Sequence, residues 1–217
     1  MLKCFSYFFH ALSHKGITNQ KLEEMKKTIS LLTLVTLLTL GNAQAQSFDL
    51  GILDNTMSMM KSGNNNNKVA GILGDAVMGL KDEVGQSKTS FAPKLLSQVS
   101  ALSGLIPSIK KGSADMSLVQ KIISTVKTLV AANRLKGLLN GGSLLGKGAQ
   151  VGNSVNLLQS GMSLLGGGAS SDKLGKLLNV VGKKSGKLDK SGLFGKLAGK
   201  AVTKKLGSSL NLLNGLI

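Results

Sequence analysis

The side chains that most often carry catalysis lie at one end of this 217-residue chain. The only cysteine, the only tyrosine and both histidines fall within its first fourteen positions, at Cys4, Tyr7, His10 and His14. If that end is removed, the remaining chain has no thiol, imidazole, phenol or indole. A Ser-His-Asp triad, a Cys-His pair and a His/Cys metal site then all lack an essential member. We therefore expect a protein that is not an enzyme, with no catalytic residue, no metal and no cofactor.

Serine and lysine recur at a spacing that some acyl-transfer enzymes use. Ser-x-x-Lys occurs at Ser58/Lys61, Ser108/Lys111, Ser124/Lys127 and Ser170/Lys173, and Lys-Ser-Gly at 61–63, 184–186 and 190–192. Penicillin-binding proteins combine such motifs with Ser-Asp-Asn on a larger fold. Ser-Asp-Asn is missing from this sequence. The repeated copies therefore indicate chance in a chain rich in serine and lysine.

Residues near the start have the layout of a secretory signal peptide. Met25 is followed by two lysines, an apolar run of twelve residues spans 29–40, and Ala43 and Ala45 supply the small residues of a cleavage site. The apolar run is shorter than the roughly 20 residues that a membrane span needs. Cleavage after Ala45 makes Gln46 the first residue of the mature protein.

This layout predicts how the chain is divided and where it works. A signal peptide begins a protein, so we predict that Met25 is the true start and that residues 1–24 are an extension. Residues 25–45 are then a bacterial-type signal peptide, and the mature protein is secreted or periplasmic. No cysteine follows the apolar run, which excludes an N-terminal lipid anchor on cysteine.

The mature chain changes in composition near residue 137. Residues 46–136 contain 8 glycines and residues 137–217 contain 18. We therefore predict a helical region over 46–136 and a basic helical region rich in Gly, Leu and Lys over 137–217. The asparagine run at 64–67 is typical of a solvated linker or loop.

Three segments repeat apolar residues at helical spacing, while the alternation typical of strands is scarce. The first segment begins near Leu95 and is predicted to stop at Pro107. The second is predicted to be capped by Asp115 and closed by Gly137. The third runs from about Ser191 to Leu213. The sequence therefore predicts an all-α fold.

Glycine in the second region points to short helices. Each glycine inside a helix costs about 0.5–1 kcal/mol relative to alanine. We therefore expect short amphipathic helices in a loose bundle, with segments that are flexible or ordered only on binding. The alternative is close helix packing through G-x-x-x-G pairs, of which Gly148/Gly152 and Gly195/Gly199 are two.

Positive charge indicates an anionic partner. The mature chain carries a net charge of +14, and residues 173–217 hold ten lysines against Asp189 alone. Nucleic acid is disfavoured because Arg134 is the only arginine and aromatic side chains are nearly absent. Anionic lipid or envelope polysaccharide fits this charge and composition better than nucleic acid does. The sequence also allows a homo-oligomer.

The third helical segment combines both properties that surface binding needs. A broad apolar face stands beside a lysine ridge, the pattern of a helix lying in a membrane interface. The predicted contacts are four lysines for attraction and four apolar residues for insertion: Lys196, Lys200, Lys204, Lys205, Leu193, Phe194, Leu197 and Leu206. The competing interpretation is that the apolar face is core and that the lysines are simply solvated.

These observations favour a secreted or periplasmic protein that associates with membrane or envelope surfaces. The first alternative is a soluble periplasmic helical bundle with a structural or adaptor role. The second is a bacteriocin-like permeabiliser, because the third segment is similar in composition to cationic amphipathic antimicrobial peptides.

Overall fold

The computed structural model describes residues 48–63, 65–162 and 169–217. This part of the chain contains seven helices and no strand, which confirms the all-α prediction. The helices are α1 (Gly51–Lys61), α2 (Asn66–Gly85), α3 (Ala92–Lys110), α4 (Met116–Asn140), α5 (Gly148–Met162), α6 (Ala169–Ser185) and α7 (Gly192–Leu216). The predicted cleavage residues Ala43, Ala45 and Gln46 lie outside the described residues, as do Met25 and the whole predicted leader.

Consecutive helices pack against one another, and α4 contacts three other helices. It contacts α3 on one side and α5 on another, and α7 returns to contact α4, so that α4 to α7 close into a four-helix arrangement. One continuous core runs through all seven helices, with these leucines completely buried: Leu53, Leu80, Leu95, Leu129, Leu158, Leu178 and Leu206. Phe48–Ile217 form one compact unit with this core, and we expect that unit to fold on its own.

Two helices continue beyond the residues at which the sequence predicts that they end. Helix α3 continues past Pro107 to Lys110, and α4 continues past Gly137 to Asn140. Beyond Pro107, Ile109 is buried, and beyond Gly137 two leucines pack against the core. Burying these side chains outweighs a missing backbone hydrogen bond or the conformational freedom of a glycine. The change in composition at residue 137 therefore falls inside a helix.

Part of the predicted asparagine linker is helical. Helix α2 begins at Asn66, and the Asn65 side chain accepts hydrogen bonds from the backbone N–H groups of Asn67 and Lys68. Asparagine is among the best residues at this capping position. A sequence that resembles a solvated loop therefore serves as a helix start.

Glycine in the second region brings helices close together instead of shortening them. The helices of this region, α5, α6 and α7, have 15, 17 and 25 residues, as the alternative of close helix packing allows. A Cβ on Gly152 would lie 3.1 Å from the Ser185 hydroxyl of α6, and one on Gly161 would collide with Thr128 of α4. Gly148 also faces Ser185, so the pair Gly148/Gly152 is a close helix contact. Where glycine permits such an approach, packing offsets its conformational cost.

The predicted cap of α4 is confirmed. The Asp115 carboxylate accepts hydrogen bonds from the backbone N–H groups of Ser117 at 2.8 Å and Leu118 at 3.3 Å. These bonds favour the charged carboxylate, and they lower the pKa of Asp115 below its ordinary value of 3.8.

A lowered pKa makes this cap sensitive to acid. Its stabilising effect is present above pH 3.8 and is lost as the pH falls through the lower pKa of the folded state. We expect Asp115→Ala to lower Tm by about 2–4 °C at pH 7. The difference between the two proteins should shrink towards pH 2, as thermal unfolding followed by circular dichroism would measure. Asp115→Asn is the control, because asparagine keeps the cap without the charge. A constant difference between wild type and Asp115→Ala down to pH 2 would contradict this assignment.

Candidate functional site

Helix α7 starts without a cap of its own. Ser191 precedes it in an extended conformation, and its side chain makes no capping hydrogen bond. Gly192 follows with φ at +77°, a conformation that L side chains rarely adopt. The nearby Asp189 carboxylate caps a different helix, because it accepts a hydrogen bond of 2.9 Å from the N–H of Gly148 at the start of α5. Helix α7 therefore begins at a tight turn, and a hydrogen bond connects that turn to α5.

The apolar arc of α7 is divided between core and solvent. Val202, Leu206, Leu210 and Leu213 are buried, and Leu206 is completely so. At the other end of the helix Leu193, Phe194 and Leu197 keep 76%, 78% and 66% of their surface exposed. Only Gly195 and Ala198 of these first turns reach the core. The inclusion of Leu206 among the surface contacts is therefore wrong, since its side chain fills the core.

Three of the four predicted apolar contacts form one exposed group, here called the apolar tip: Leu193, Phe194 and Leu197. They occupy two successive turns, and the two leucines are four residues apart on the same side of α7. The other exposed large apolar residues among those described are less exposed. Leu145 lies in the turn between α4 and α5, and the rest are spread over five helices: Met78, Leu96, Leu118, Val180 and Leu216. Scattered apolar residues are normal on a protein surface, whereas a group at one helix end is informative.

The four predicted lysines are all exposed and stand next to the apolar tip. Lys196, Lys200 and Lys204 follow one another at four-residue spacing, and Lys205 adjoins them. At 100° per residue, Lys200 and Lys204 share the side of α7 that carries the tip leucines. No acidic residue occurs from 190 to 217, so these ammonium groups have no carboxylate partner within their own helix.

Two turns of the chain meet beside the apolar tip, and sequence reasoning missed them. The first is the turn between α6 and α7. Its Leu188 carbonyl accepts a hydrogen bond of 3.1 Å from the N–H of Gly146, in the turn between α4 and α5. Lys187 and Lys190 are exposed on the first turn, and Leu145 is 42% exposed on the second. Only the packing of four helices brings these residues together.

A second feature is a cleft of about 320 Å³ between α1 and α4. Two copies of Ser-x-x-Lys line it, Ser58/Lys61 from α1 and Ser124/Lys127 from α4. The Ser124 hydroxyl donates to the backbone carbonyl one turn earlier, at 2.9 Å. Lys127 instead forms an ion pair of 2.7 Å with Asp54. Within that copy the lysine therefore does not activate the serine.

Other kinds of site find no support in the part of the chain that the structure describes. It holds no group of three or more His, Cys, Asp or Glu residues that could bind a metal ion. None of its helices has the length and apolar character needed to cross a membrane.

Comparison with protein-family models, with curated proteins and with solved structures finds no match to this chain.

Proposed function

We propose that this is an exported, non-enzymatic helical protein that associates with an anionic lipid surface through the first turns of α7. The observation that carries the proposal is the exposure of Leu193, Phe194 and Leu197 beside a row of lysines, on a helix that buries its middle and later apolar residues Val202, Leu206, Leu210 and Leu213. Export is supported by the leader-like sequence that ends at Ala45.

Each half of this surface has its own role in binding. A lysine close to an anionic leaflet contributes about 1 kcal/mol of electrostatic attraction. Full burial of a leucine or phenylalanine side chain contributes about 1.5–3 kcal/mol. The lysines therefore bring the protein to the surface, and the apolar tip then enters the boundary between headgroups and acyl chains.

The charge of the protein and its apolar tip favour lipid over the other partners. A second copy of the chain is a poor occupant, because each mature copy carries +14 and the lysines flank the apolar tip. A polysaccharide supplies negative charge but no acyl chains for the apolar tip. Nucleic acid recognition commonly uses arginine, and the one arginine, Arg134, is bound to Glu83.

A structural or adaptor role is the second candidate, and one observation favours it. The core is complete, and Leu206, Leu210 and Leu213 of α7 are already covered by other helices. Lipid is therefore not needed to order the protein, and the apolar tip alone would have to serve as an interface. A partner protein could then cover the tip in place of lipid.

Vesicle flotation tests the proposal directly. Residues 46–217 should be used, because the apolar run at 29–40 would bind lipid by itself. With vesicles of equal parts phosphatidylglycerol and phosphatidylcholine, we expect the protein to float at 50 mM salt. At 500 mM salt most of it should be released, since surface charges are then screened. Phosphatidylcholine vesicles are the control and should leave the protein at the bottom of the gradient.

The other outcomes separate the alternatives. Absence of flotation on anionic vesicles at low salt would refute lipid association and favour the adaptor role. Release by dextran sulfate but not by neutral dextran would show that a polyanion competes for the same lysines. Leakage of a dye from the vesicles would favour the permeabiliser.

A further inference from the structure

We infer that the lipid-binding surface extends from α7 onto the two turns beside it, and that the bundle docks by this end instead of lying along α7. The inference rests on the proposed function and specifies how the same surface meets the headgroups. The surface then consists of the apolar tip, the turn at 186–191 and the turn at 141–147, and is here called the basic end.

The basic end is held together by backbone bonds and close contacts. The N–H of Gly146 donates to the Leu188 carbonyl, and the N–H of Gly148 donates to the Asp189 carboxylate. A Cβ on Gly195 would lie 3.3 Å from the Leu145 side chain and would collide with the Lys190 carbonyl. Both turns are therefore packed against the first turns of α7.

The charge of these turns is suited to phosphate groups. Lys187 and Lys190 are exposed on either side of Asp189, the one acidic residue between 173 and 217. The Asp189 carboxylate accepts a hydrogen bond from the N–H at the start of α5, where the helix dipole is positive. That interaction offsets the negative charge that would otherwise repel a headgroup. The two lysines are thus free to bind lipid phosphates beside the apolar tip.

The outer side of α7 argues against docking along its length. Beyond Leu197 this side carries polar residues: Lys200, Lys204, Ser208 and Asn211. The other exposed large apolar side chain of α7 is Leu216, near the last residue of the helix, whereas Leu145 of the neighbouring turn lies beside Gly195 and Gly199 in the first turns. Insertion is therefore confined to the start of α7, and Ser208 lies about 20 Å from it along the helix axis, at 1.5 Å per residue.

Fluorescent probes at single cysteines can measure this orientation, because residues 46–217 contain no cysteine. Gly186→Cys places a probe on the turn, at a position where a Cβ would meet no other atom within 4 Å. This substitution leaves all lysines in place. Leu197→Cys reports the apolar tip, and Ser208→Cys reports the far part of α7 on the same side. At saturating anionic vesicles we expect probes at 186 and 197 to shift to shorter emission wavelengths and to be quenched by lipid-borne quenchers. The probe at 208 should keep the emission that it has in water.

The outcomes distinguish the inference from the proposal on which it rests. Equal shifts at 186, 197 and 208 would mean that α7 lies flat, which overturns docking by the basic end while lipid association stands. A shift at 197 alone would overturn the role of the turn in the same way. If none of the three probes shifts, lipid association itself fails.

A second measurement isolates the lysines of the turn. Replacing Lys187 and Lys190 with glutamine should weaken binding to anionic vesicles about 10- to 30-fold. Lys110→Gln with Lys111→Gln removes the same charge from the exposed end of α3 and should change affinity no more than about threefold. Equal losses in the two double variants would mean that net charge alone matters, and they would overturn the inference.

Discussion

Replacing the apolar tip with glutamine, as Leu193→Gln, Phe194→Gln and Leu197→Gln together, is expected to lower affinity for anionic vesicles by at least about 100-fold. Full burial of each side chain is worth about 1.5–3 kcal/mol. Half of the middle of that range, realised three times, gives about 3.4 kcal/mol, which exceeds the roughly 2.7 kcal/mol of a 100-fold change. Lysine attraction is untouched, so the variant should still show weak binding that salt abolishes. Titration with vesicles, followed by flotation or by a fluorescent probe, measures the change.

The fold should survive this triple replacement. The three side chains are 66–78% exposed, and each exposed substitution changes the free energy of unfolding by no more than about 0.5 kcal/mol. Met78→Gln with Leu118→Gln is the matched control, because these residues are 59% and 44% exposed on other helices. The control should bind vesicles as wild type does. If the triple variant binds equally well, the apolar tip is not the inserting group and the proposed function loses its basis.

The apolar tip shows what a helical wheel can predict and what it cannot. The spacing of apolar residues correctly placed a helix over the region, and its ends near Ser191 and Leu213 agree closely with α7. The wheel placed Leu197 and Leu206 in one broad arc. Yet the buried side of the helix is fixed by contacts with α6 and α4, which periodicity does not encode. The first turns face the core through Gly195 and Ala198, and for this reason their leucines remain outside.

Local and distant signals also differ in how well they predict helix ends. The cap at Asp115 depends on residues two and three positions away, and the sequence was sufficient to predict it. The ends expected at Pro107 and Gly137 depend on whether later residues are buried, which only the packed fold decides. The turns that carry Lys187 and Leu145 meet across about forty residues of sequence. No spacing rule could have placed them beside α7.

Arg134 gives the clearest case of a role that only the fold reveals. In the sequence it stands out only as the single arginine. In the structure its guanidinium forms two bonds of 2.7 Å with the two carboxylate oxygens of Glu83 on α2. It also donates to the Phe48 carbonyl at 2.6 Å, and the Phe48 N–H donates to Glu83 at 2.8 Å. The Phe48 ring then covers Gly79 so closely that a Cβ there would lie 2.7 Å from it.

These four hydrogen bonds should make Arg134 one of the most important residues for stability. The two side chains keep only 22% and 14% of their surface exposed, so removing the arginine leaves a largely desolvated carboxylate without its partner. We expect Arg134→Met to lower the free energy of unfolding by about 2 kcal/mol, less than for a fully buried ion pair, because both side chains keep some contact with solvent. Urea unfolding of residues 46–217, followed by circular dichroism, measures the change.

Two further variants show whether the unpaired carboxylate is the cause. Arg134→Met with Glu83→Met removes both charges and should be more stable than Arg134→Met alone, because no partly buried carboxylate is left without its arginine. Arg134→Lys keeps the charge but cannot bind both carboxylate oxygens in parallel, so its stability should fall between wild type and Arg134→Met. A loss below about 0.5 kcal/mol in Arg134→Met would show that the cluster contributes little. Because Arg134 is not part of the basic end, folded Arg134→Met should bind vesicles with wild-type affinity. This result would distinguish the residues that stabilise the bundle from the residues that bind lipid.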